Sequence, residues 1–289
     1  MKAPTKPQIE AFIQSVYSYY HAHGRHDLPW RLTRDPYAIL VSEFMLQQTQ
    51  ILRVLSKYED FLAAFPTVKL LANARLPEIL AVWQGLGYNR RARFLLLATR
   101  RIMSEYNGVV PRDVSELDVL PGIGPYTAAA ITCFAYNKPL VFIETNIRTA
   151  VIAHFFDDQQ SGIRDTDIAR ILEQVLDRAQ PREWYYALMD YGAMVKKTLG
   201  NASRQSKYYA KQSSFVGSDR QLRGAIISAL LKRLQLDVNS LPRIIAKRDL
   251  RTPNTPKSTN KKQRDRVVAS LVRDGLVRED NGVLMLADR

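Results

Sequence analysis

Apolar positions recur along most of this chain at helical spacing. Ile9, Phe12, Ile13, Val16, Tyr17 and Tyr20 fall on one face of a helix over residues 7–22. The same period predicts helices at about 37–64, 66–73, 77–84, 89–106, 113–119, 125–136, 144–155, 165–179 and 181–197. Leu28-Pro29, Asp35-Pro36, Phe65-Pro66 and Leu120-Pro121 mark boundaries between helices, because proline pushes the preceding residue out of the α region. No sustained strand-like alternation occurs before the C-terminus, so the first 200 residues or so read as almost wholly helical. Between 197 and 217 the period gives way to Lys, Asn, Ser, Arg, Gln and Gly, the composition of a loop or linker. Beyond it, Leu222, Ile226, Ala229, Leu230 and Leu234 start a smaller unit, with further helices fitting 239–247 and 261–274. The chain then runs from Leu276 to Leu286 through Asn281-Gly282, a hairpin turn between two apolar runs. Three helices and a terminal hairpin predict a winged helix-turn-helix. The basic stretch from Lys247 to Arg266 is either its DNA-facing side or a solvated loop. No internal repeat is found.

Charge narrows the partner. Lys and Arg number 42 against 28 Asp and Glu, for a net charge of +14 and a pI near 9.9. Such a surface suits a polyanion, with nucleic acid ahead of a membrane surface. The 289 residues, 46% of them hydrophobic, are enough for two domains or three small ones. No apolar run is long enough to span a bilayer. The N-terminus runs into an amphipathic helix rather than an apolar signal segment, so a cytoplasmic location is expected. The single cysteine, Cys133, can make neither an intrachain disulfide nor a thiolate metal cluster. It reads as a small buried hydrophobe. His21, His23 and His26 are unevenly spaced and read as solvated or DNA-facing side chains rather than metal ligands.

The densest chemistry lies in Leu120-Pro121-Gly122-Ile123-Gly124-Pro125-Tyr126-Thr127, with Glu144 eighteen residues after Tyr126. The turn is compact enough to join two short helices, and its glycines allow close backbone approach or a positive φ. It feeds the Ala-rich helix from Thr127 to Tyr136, whose first N–H groups are unpaired and suited to one phosphate. A bare Gly-x-Gly would be an ordinary helix corner. In a chain this basic, the whole octet favours DNA phosphate.

Leu28-Pro29-Trp30-Arg31, Pro36-Tyr37, Ser42-Glu43-Phe44-Met45-Leu46-Gln47-Gln48-Thr49-Gln50, Trp83-Gln84-Gly85-Leu86-Gly87-Tyr88 and Leu120 to Thr127 occur in that order. Together they resemble the adenine DNA glycosylase (MutY) branch of the helix-hairpin-helix DNA glycosylases, over about residues 7–215. The resemblance implies a mainly α, two-lobed helix-hairpin-helix glycosylase fold with a small C-terminal winged-helix-like domain. Residues 1–30 and 137–215 would form one lobe, 31–136 a six-helix lobe carrying the hairpin, and 216–289 the C-terminal domain. It also implies a monomeric base excision repair enzyme, associated with the nucleoid. Its partner would be double-stranded DNA containing a mismatch or lesion, from which it flips and hydrolytically excises adenine mispaired with guanine or 8-oxoguanine.

Base excision needs a proton for the departing base and negative charge beside an oxocarbenium-like sugar, which two carboxylates in unlike environments supply. Glu43 sits among Ile39, Leu40, Val41, Phe44, Met45 and Leu46, where desolvation would raise its pKa and keep a proton available. Spacing alone leaves it open as an exposed helix charge; the resemblance makes it the acid that protonates adenine. By the same resemblance, Glu144 takes the place of the sugar-facing carboxylate and Asn146 helps hold it. Gln47, Gln48 and Tyr88 correspond to the side chains that occupy the gap left by the flipped base. The resemblance places Trp30, Arg31, Leu46 and Asp190 at the adenine pocket, with Trp30 open as plain core. It implies that Thr49 and the hairpin residues Leu120, Gly122, Ile123, Gly124, Tyr126 and Thr127 meet DNA. Tyr126 stands where bifunctional relatives carry a lysine, so no Schiff base forms and the abasic site stays intact.

Three departures from the family pattern matter. Position 144 is glutamate where the family has aspartate. The family's four cluster cysteines correspond to Lys196, Ser203, Ser206 and Gln212, so no iron–sulfur cluster is expected. No cofactor is implied beyond a monovalent cation at the hairpin, and the Lys-, Arg- and Tyr-rich loop 196–211 would be held by packing of Trp184, Tyr185, Tyr208 and Tyr209. The C-terminal region of roughly 70 residues also lacks the larger lesion-recognition domain. These departures leave open a glycosylase for hypoxanthine, uracil or thymine, and a non-catalytic DNA-binding module.

Overall fold

The computed structural model describes residues 4–157, 160–211, 214–241 and 261–288. In chain order its helices are α1 (Lys6–His23), α2 (Pro29–Leu32), α3 (Pro36–Leu46), α4 (Ile51–Ala64), α5 (Val68–Asn73), α6 (Leu76–Val82) and α7 (Arg90–Glu105). They continue with α8 (Val114–Asp118), α9 (Pro125–Tyr136), α10 (Thr145–Phe155), α11 (Asp165–Val175), α12 (Pro181–Thr198), α13 (Asp219–Arg233) and α14 (Lys261–Arg273). Three short strands, β1 (Gln235–Asp237), β2 (Val277–Asp280) and β3 (Val283–Leu286), all lie in the C-terminal region. The mainly α character read from apolar periodicity is what the chain adopts.

The contacts group the chain into two compact units. One comprises residues 1–39, 112–119 and 123–211, the other 40–111, 120–122 and 212–289. This grouping cuts across the lobe boundaries expected from the sequence, most clearly at α9. Thr127 to Phe134 are buried all round that helix, and its residues belong to the core of the first unit with α1, α10, α11 and α12. A helix apolar on every side has to be enclosed rather than laid on a surface. Pro125 at its first turn and Asn137 in the left-handed conformation at its end fix its limits. Trp184, Tyr185, Leu188 and Val195 on α12 complete that core.

In the second unit, α3 and α4 occupy the stretch predicted as one helix over 37–64. The break falls at residues 47–50, where Gln48 takes a φ of +54°. No Gly or Pro marks it. The carbonyls of Phe44 and Met45, left without helical partners by the break, accept from the Arg91 guanidinium at 2.6 and 2.9 Å. Arg91 is 7% exposed. Burial draws its pKa down to about 10, which leaves it a cation at neutral pH.

At the C-terminal end of this unit, α13, α14 and a three-stranded antiparallel sheet of order β1-β3-β2 pack together. Leu236 pairs with Leu284, and Val277 with Leu286, closing a small core with Leu222, Ile226, Leu230, Val267 and Leu271. The turn between β2 and β3 is Asn281-Gly282, both at positive φ, as the hairpin signal requires. Strand β1 went unsignalled in the sequence. Of the helix expected over 239–247, Val238–Ser240 form a 3-10 turn, and residues from 242 onward lie outside those described. The same holds for most of the basic stretch 247–266.

Candidate functional site

In the first unit, Glu144 stands at the N-cap of α10. Its Oε2 accepts from the backbone N–H of Asn146 at 2.6 Å and of Ile147 at 3.4 Å, and the Asn146 side-chain amide donates to Oε1 at 3.1 Å. Capping is ordinarily done by shorter side chains. Here the extra methylene is taken up by the glutamate turning back onto its own helix. Burial of the carboxyl raises its pKa, opposed by the two backbone N–H groups and by Lys196 and Arg148, although the residue keeps part of its surface. Asn146 is itself fixed from behind. A Cβ on Gly192 of α12 would lie 2.0 Å from the Asn146 carbonyl oxygen, so the two helices meet where only glycine fits. Tyr126, half-buried in the first turn of α9, packs edge-on against Phe142 at 5.8 Å. Phe142 in turn stacks on Tyr185 at 3.8 Å.

The structure joins Arg31 and Asp190 directly. Arg31 donates Nη1 to Asp190 Oδ2 and Nη2 to Oδ1, each at 2.8 Å, and lies 4.5 Å above the Tyr186 ring. Arg25 donates to the same carboxylate through its backbone N–H and Nε, both at 2.8 Å. Trp30 is buried beside Arg31 in the sequence, at 4% exposure. Burial alone would raise the Asp190 pKa. The hydrogen bonds from Arg31 and Arg25 outweigh it and hold the carboxyl below the ordinary aspartate range. A depressed folded-state pKa contributes stability above the unfolded value and loses it as pH falls through the folded one. We expect urea stability to drop below about pH 4, and Asp190→Asn, weaker at neutral pH, to lose much of that acid dependence. An unchanged acid limb in the variant would show that other carboxylates govern it.

In the second unit, Glu43 lies on the buried face of α3 at 7% exposure. Beyond the end of α3, Gln47, Gln48, Tyr88 and Gly122 line one cavity of about 420 Å³. Gln47 Nε2 donates to the Gly122 carbonyl at 3.3 Å, and Arg91 donates to Thr49 Oγ1 at 2.9 Å. Gln48 is exposed, and Leu46, Thr49 and Tyr88 are half-buried. Tyr88, like Gln48, holds a positive φ, of +46°. A left-handed backbone costs a residue with a side chain on the order of 1–2 kcal/mol. Two such residues on one cavity wall mark it as a place where conformation is held against preference.

The hairpin divides its labour. Gly122, at φ +79°, has no room for a Cβ, which would fall 2.6 Å from Phe94 Cβ and 2.9 Å from Phe44 Cε1. Gly124 is extended and nothing lies within 4 Å of its absent Cβ. As the N-cap of α9 it offers no side chain to cap that helix. Leu120, Ile123 and Thr127 are buried, so any contact they make with a ligand runs through backbone rather than side chain.

The four positions matching cluster cysteines do not fit a cluster. Lys196 ends α12, Ser203 and Ser206 are buried, Gln212 lies outside the described residues, and none of the four is a thiol. Ser203 Oγ donates to Asn201 Oδ1, and Ser206 Oγ accepts from the Tyr208 N–H. The loop is fastened instead by main chain: Ile163 N–H donates to Gln205 O at 3.0 Å, and Lys207 N–H to Ile163 O at 2.9 Å. Trp184 and Tyr185 are core residues, whereas Tyr208 and Tyr209 are 61% and 40% exposed and do not brace it as expected. Among the described residues no group of His, Cys, Asp and Glu is arranged to hold a metal.

Sequence reasoning passed over Arg91, Arg25 and Arg220. Each is a basic residue among many, and nothing in local pattern separates a buried clamp from a solvated charge. Gly192 carried a signal, as a glycine interrupting the apolar face of a long helix.

A glycine hairpin feeding α9, followed by a carboxylate capping the next helix, α10, accords with the family whose model matches residues 41–178, the HhH-GPD superfamily of base excision DNA repair proteins. The chain is 36% identical to the adenine DNA glycosylase of Mycolicibacterium smegmatis over 90% of each protein, and 33% identical to that of Mycobacterium tuberculosis over 89% of this chain and 88% of the other. It belongs to the adenine DNA glycosylase family. The human adenine DNA glycosylase is 35% identical over 65% of this chain, a match covering 36% of the human protein. Solved structures with the same fold include a thermostable thymine-DNA glycosylase, at TM-score 0.58 and 24% identity over 70% of this chain and 97% of that one. A trapped endonuclease III–DNA covalent intermediate follows at TM-score 0.57 and 20% identity, over 66% and 88%.

Proposed function

We propose that this DNA glycosylase excises adenine mispaired with guanine or 8-oxoguanine, by hydrolysis and without strand cleavage. The observation that carries the reading is the Glu144 carboxyl, fixed at the head of α10 by two backbone N–H groups and the Asn146 amide. DNA binding alone has no use for an acid held so firmly in a partly desolvated place. In this scheme Glu43 gives its proton to a ring nitrogen of adenine while the C1′–N bond breaks, and ionised Glu144 stabilises the positive charge left on the sugar. Water adds to C1′ and gives its proton to the carboxylate left on Glu43, which restores the acid and leaves adenine and an abasic sugar. Tyr126 has no amine to capture C1′, so the strand is left uncut. The open Gly124 turn takes a backbone phosphate, and Gln47, Gln48 and Tyr88 fill the space of the flipped base, offsetting an unstacking cost of a few kcal/mol.

The test is a set of labelled duplexes carrying adenine opposite 8-oxoguanine or guanine, hypoxanthine, and uracil or thymine opposite guanine. Cleavage only after hot alkali, and only at adenine, is the expected result. Cleavage at another base would make Glu144 a mark of changed specificity, and cleavage without alkali would overturn the hydrolytic reading.

Glu144 also sets a pH limb. A carboxyl with a raised pKa ionises later than an ordinary glutamate, so excision should climb with pH along a limb displaced upward from the usual glutamate range. Glu144→Asp should keep activity and move that limb. A folded but inactive aspartate variant would mean that the site is built around the longer side chain.

A further inference from the structure

Arg91 reaches both of the segments that bring Gln48 and Tyr88 to the cavity. Its Nη1 donates to the carbonyls of Phe44 and Met45, and its Nη2 to Thr49 Oγ1 at 2.9 Å and to the Gly87 carbonyl at 3.2 Å. The first three partners flank Gln48 in the chain, and the fourth immediately precedes Tyr88. The Arg91 backbone N–H closes on the Tyr88 carbonyl at 2.9 Å. Its guanidinium lies 5.4 Å from the ring centre of Trp83 and 5.5 Å from that of Tyr88.

Two features set this guanidinium apart from a simple cap on the end of α3. It is buried, yet every oxygen to which it donates is neutral, whereas a buried cation is ordinarily matched by a carboxylate. Its Nε is also buried with no acceptor among the described residues, although buried polar atoms are ordinarily satisfied. The side chain is turned so that its two Nη groups grip the two segments at the expense of Nε. Each segment carries a residue in the left-handed region, Gln48 at φ +54° and Tyr88 at +46°. Arg220 of α13 donates to the Tyr88 hydroxyl and steadies the tip of the same side chain.

We infer that Arg91 is a positioning residue that presets the wedge: one guanidinium holds Gln48 and Tyr88 ready, so that neither segment has to be ordered while the adenine leaves the stack. The inference rests on the adenine-excision reading, in which those two residues fill the vacated space. At 7% exposure Arg91 is too enclosed to meet DNA itself and acts through the residues it grips. Ordering a loop during binding draws on the free energy of binding, and a loop already set avoids that cost. With Arg91 in place the strain of both left-handed residues is carried by the fold before DNA arrives. The contacts made with DNA are then left to offset unstacking.

The experiment follows 2-aminopurine fluorescence in stopped flow, with the probe beside an adenine opposite guanine or 8-oxoguanine. The probe brightens as its neighbour leaves the stack. Excision is measured on the same duplexes in a single turnover, and affinity for an unmodified duplex by anisotropy. Arg91→Lys keeps the charge but has no fork to span two segments. It and Arg91→Gln are both expected to slow the brightening on the order of tenfold. Excision should fall in step, with affinity for the unmodified duplex retained. A role confined to bracing α3 behind Glu43 would lower excision and leave the brightening as fast as in the wild type. That result, or no change in either rate, would overturn the inference while leaving adenine excision standing. Should both variants melt below the working temperature, Thr49→Val removes one bond of the fork with Arg91 in place. It is expected to slow the brightening about fivefold, and an unchanged rate there would again overturn the inference. A wild-type protein that releases no adenine from these duplexes would overturn both readings together.

Discussion

Glu43→Gln is expected to lower single-turnover adenine excision by about a thousandfold, within the range of roughly 10²–10⁴ associated with a positioned general acid, with duplex affinity retained. The substitution nearly preserves shape. Glu43 lies on the buried face of α3 between Ser42 and Phe44, both at 1% exposure or less. An amide fits the same volume but has no acidic proton for adenine. The chemistry should therefore fail while Gln47, Gln48 and Tyr88 of the same unit, the residues proposed to meet DNA, stay in place. Gel-shift titration alongside the kinetics separates the cases. Loss of binding in parallel with excision would make Glu43 a structural residue.

The second large effect is expected at Gly192→Ala, which touches no substrate. The added methyl would lie 2.0 Å from the Asn146 carbonyl oxygen and 2.6 Å from its carbonyl carbon. Backbone is the least yielding neighbour a methyl can meet, so α10 and α12 must separate. Overpacking of this kind costs about 1–3 kcal/mol and occasionally more, a drop of several degrees in Tm for a chain of this size. Asn146 and the Glu144 cap sit on the displaced turn, and a shift near 1 Å at reacting groups can cost on the order of a hundredfold in rate. Excision should fall further than stability alone explains, measured well below the melting transition. A normal rate with normal Tm would mean that the two helices do not approach so closely.

Much of the fold was legible because apolar residues recur at helical spacing: α1, α7, α10 and α12 fall within one or two residues of their predicted limits. The break between α3 and α4 was not, since it arises from Gln48 in a left-handed backbone and from the buried fork of Arg91. Neither leaves a mark in hydrophobic period. Strand β1 is three residues long, too short for an alternation to register. At the site, motif order brought out Glu43, Glu144, Asn146, Gln47, Gln48 and Tyr88, but the arrangements that hold them come from residues distant in sequence. Asp190 meets Arg31 from 159 residues away, and Arg220 meets Tyr88 from 132. Arginines of that kind look alike until the chain is folded. The two hairpin glycines, alike in the sequence, differ in the structure: Gly122 answers to φ and packing, Gly124 to open space.

The loop fastened to Ile163 by main-chain hydrogen bonds changes what the cell must provide. Lys196, Ser203 and Ser206 offer no thiolate to an iron–sulfur cluster, and the segment is held by main-chain hydrogen bonds to Ile163. The one thiol in the sequence, Cys133, is sealed within α9. We expect excision to persist in protein produced without iron or treated with peroxide, conditions that would silence an enzyme dependent on a cluster; loss of activity on iron depletion would overturn the reading of this loop as cluster-free.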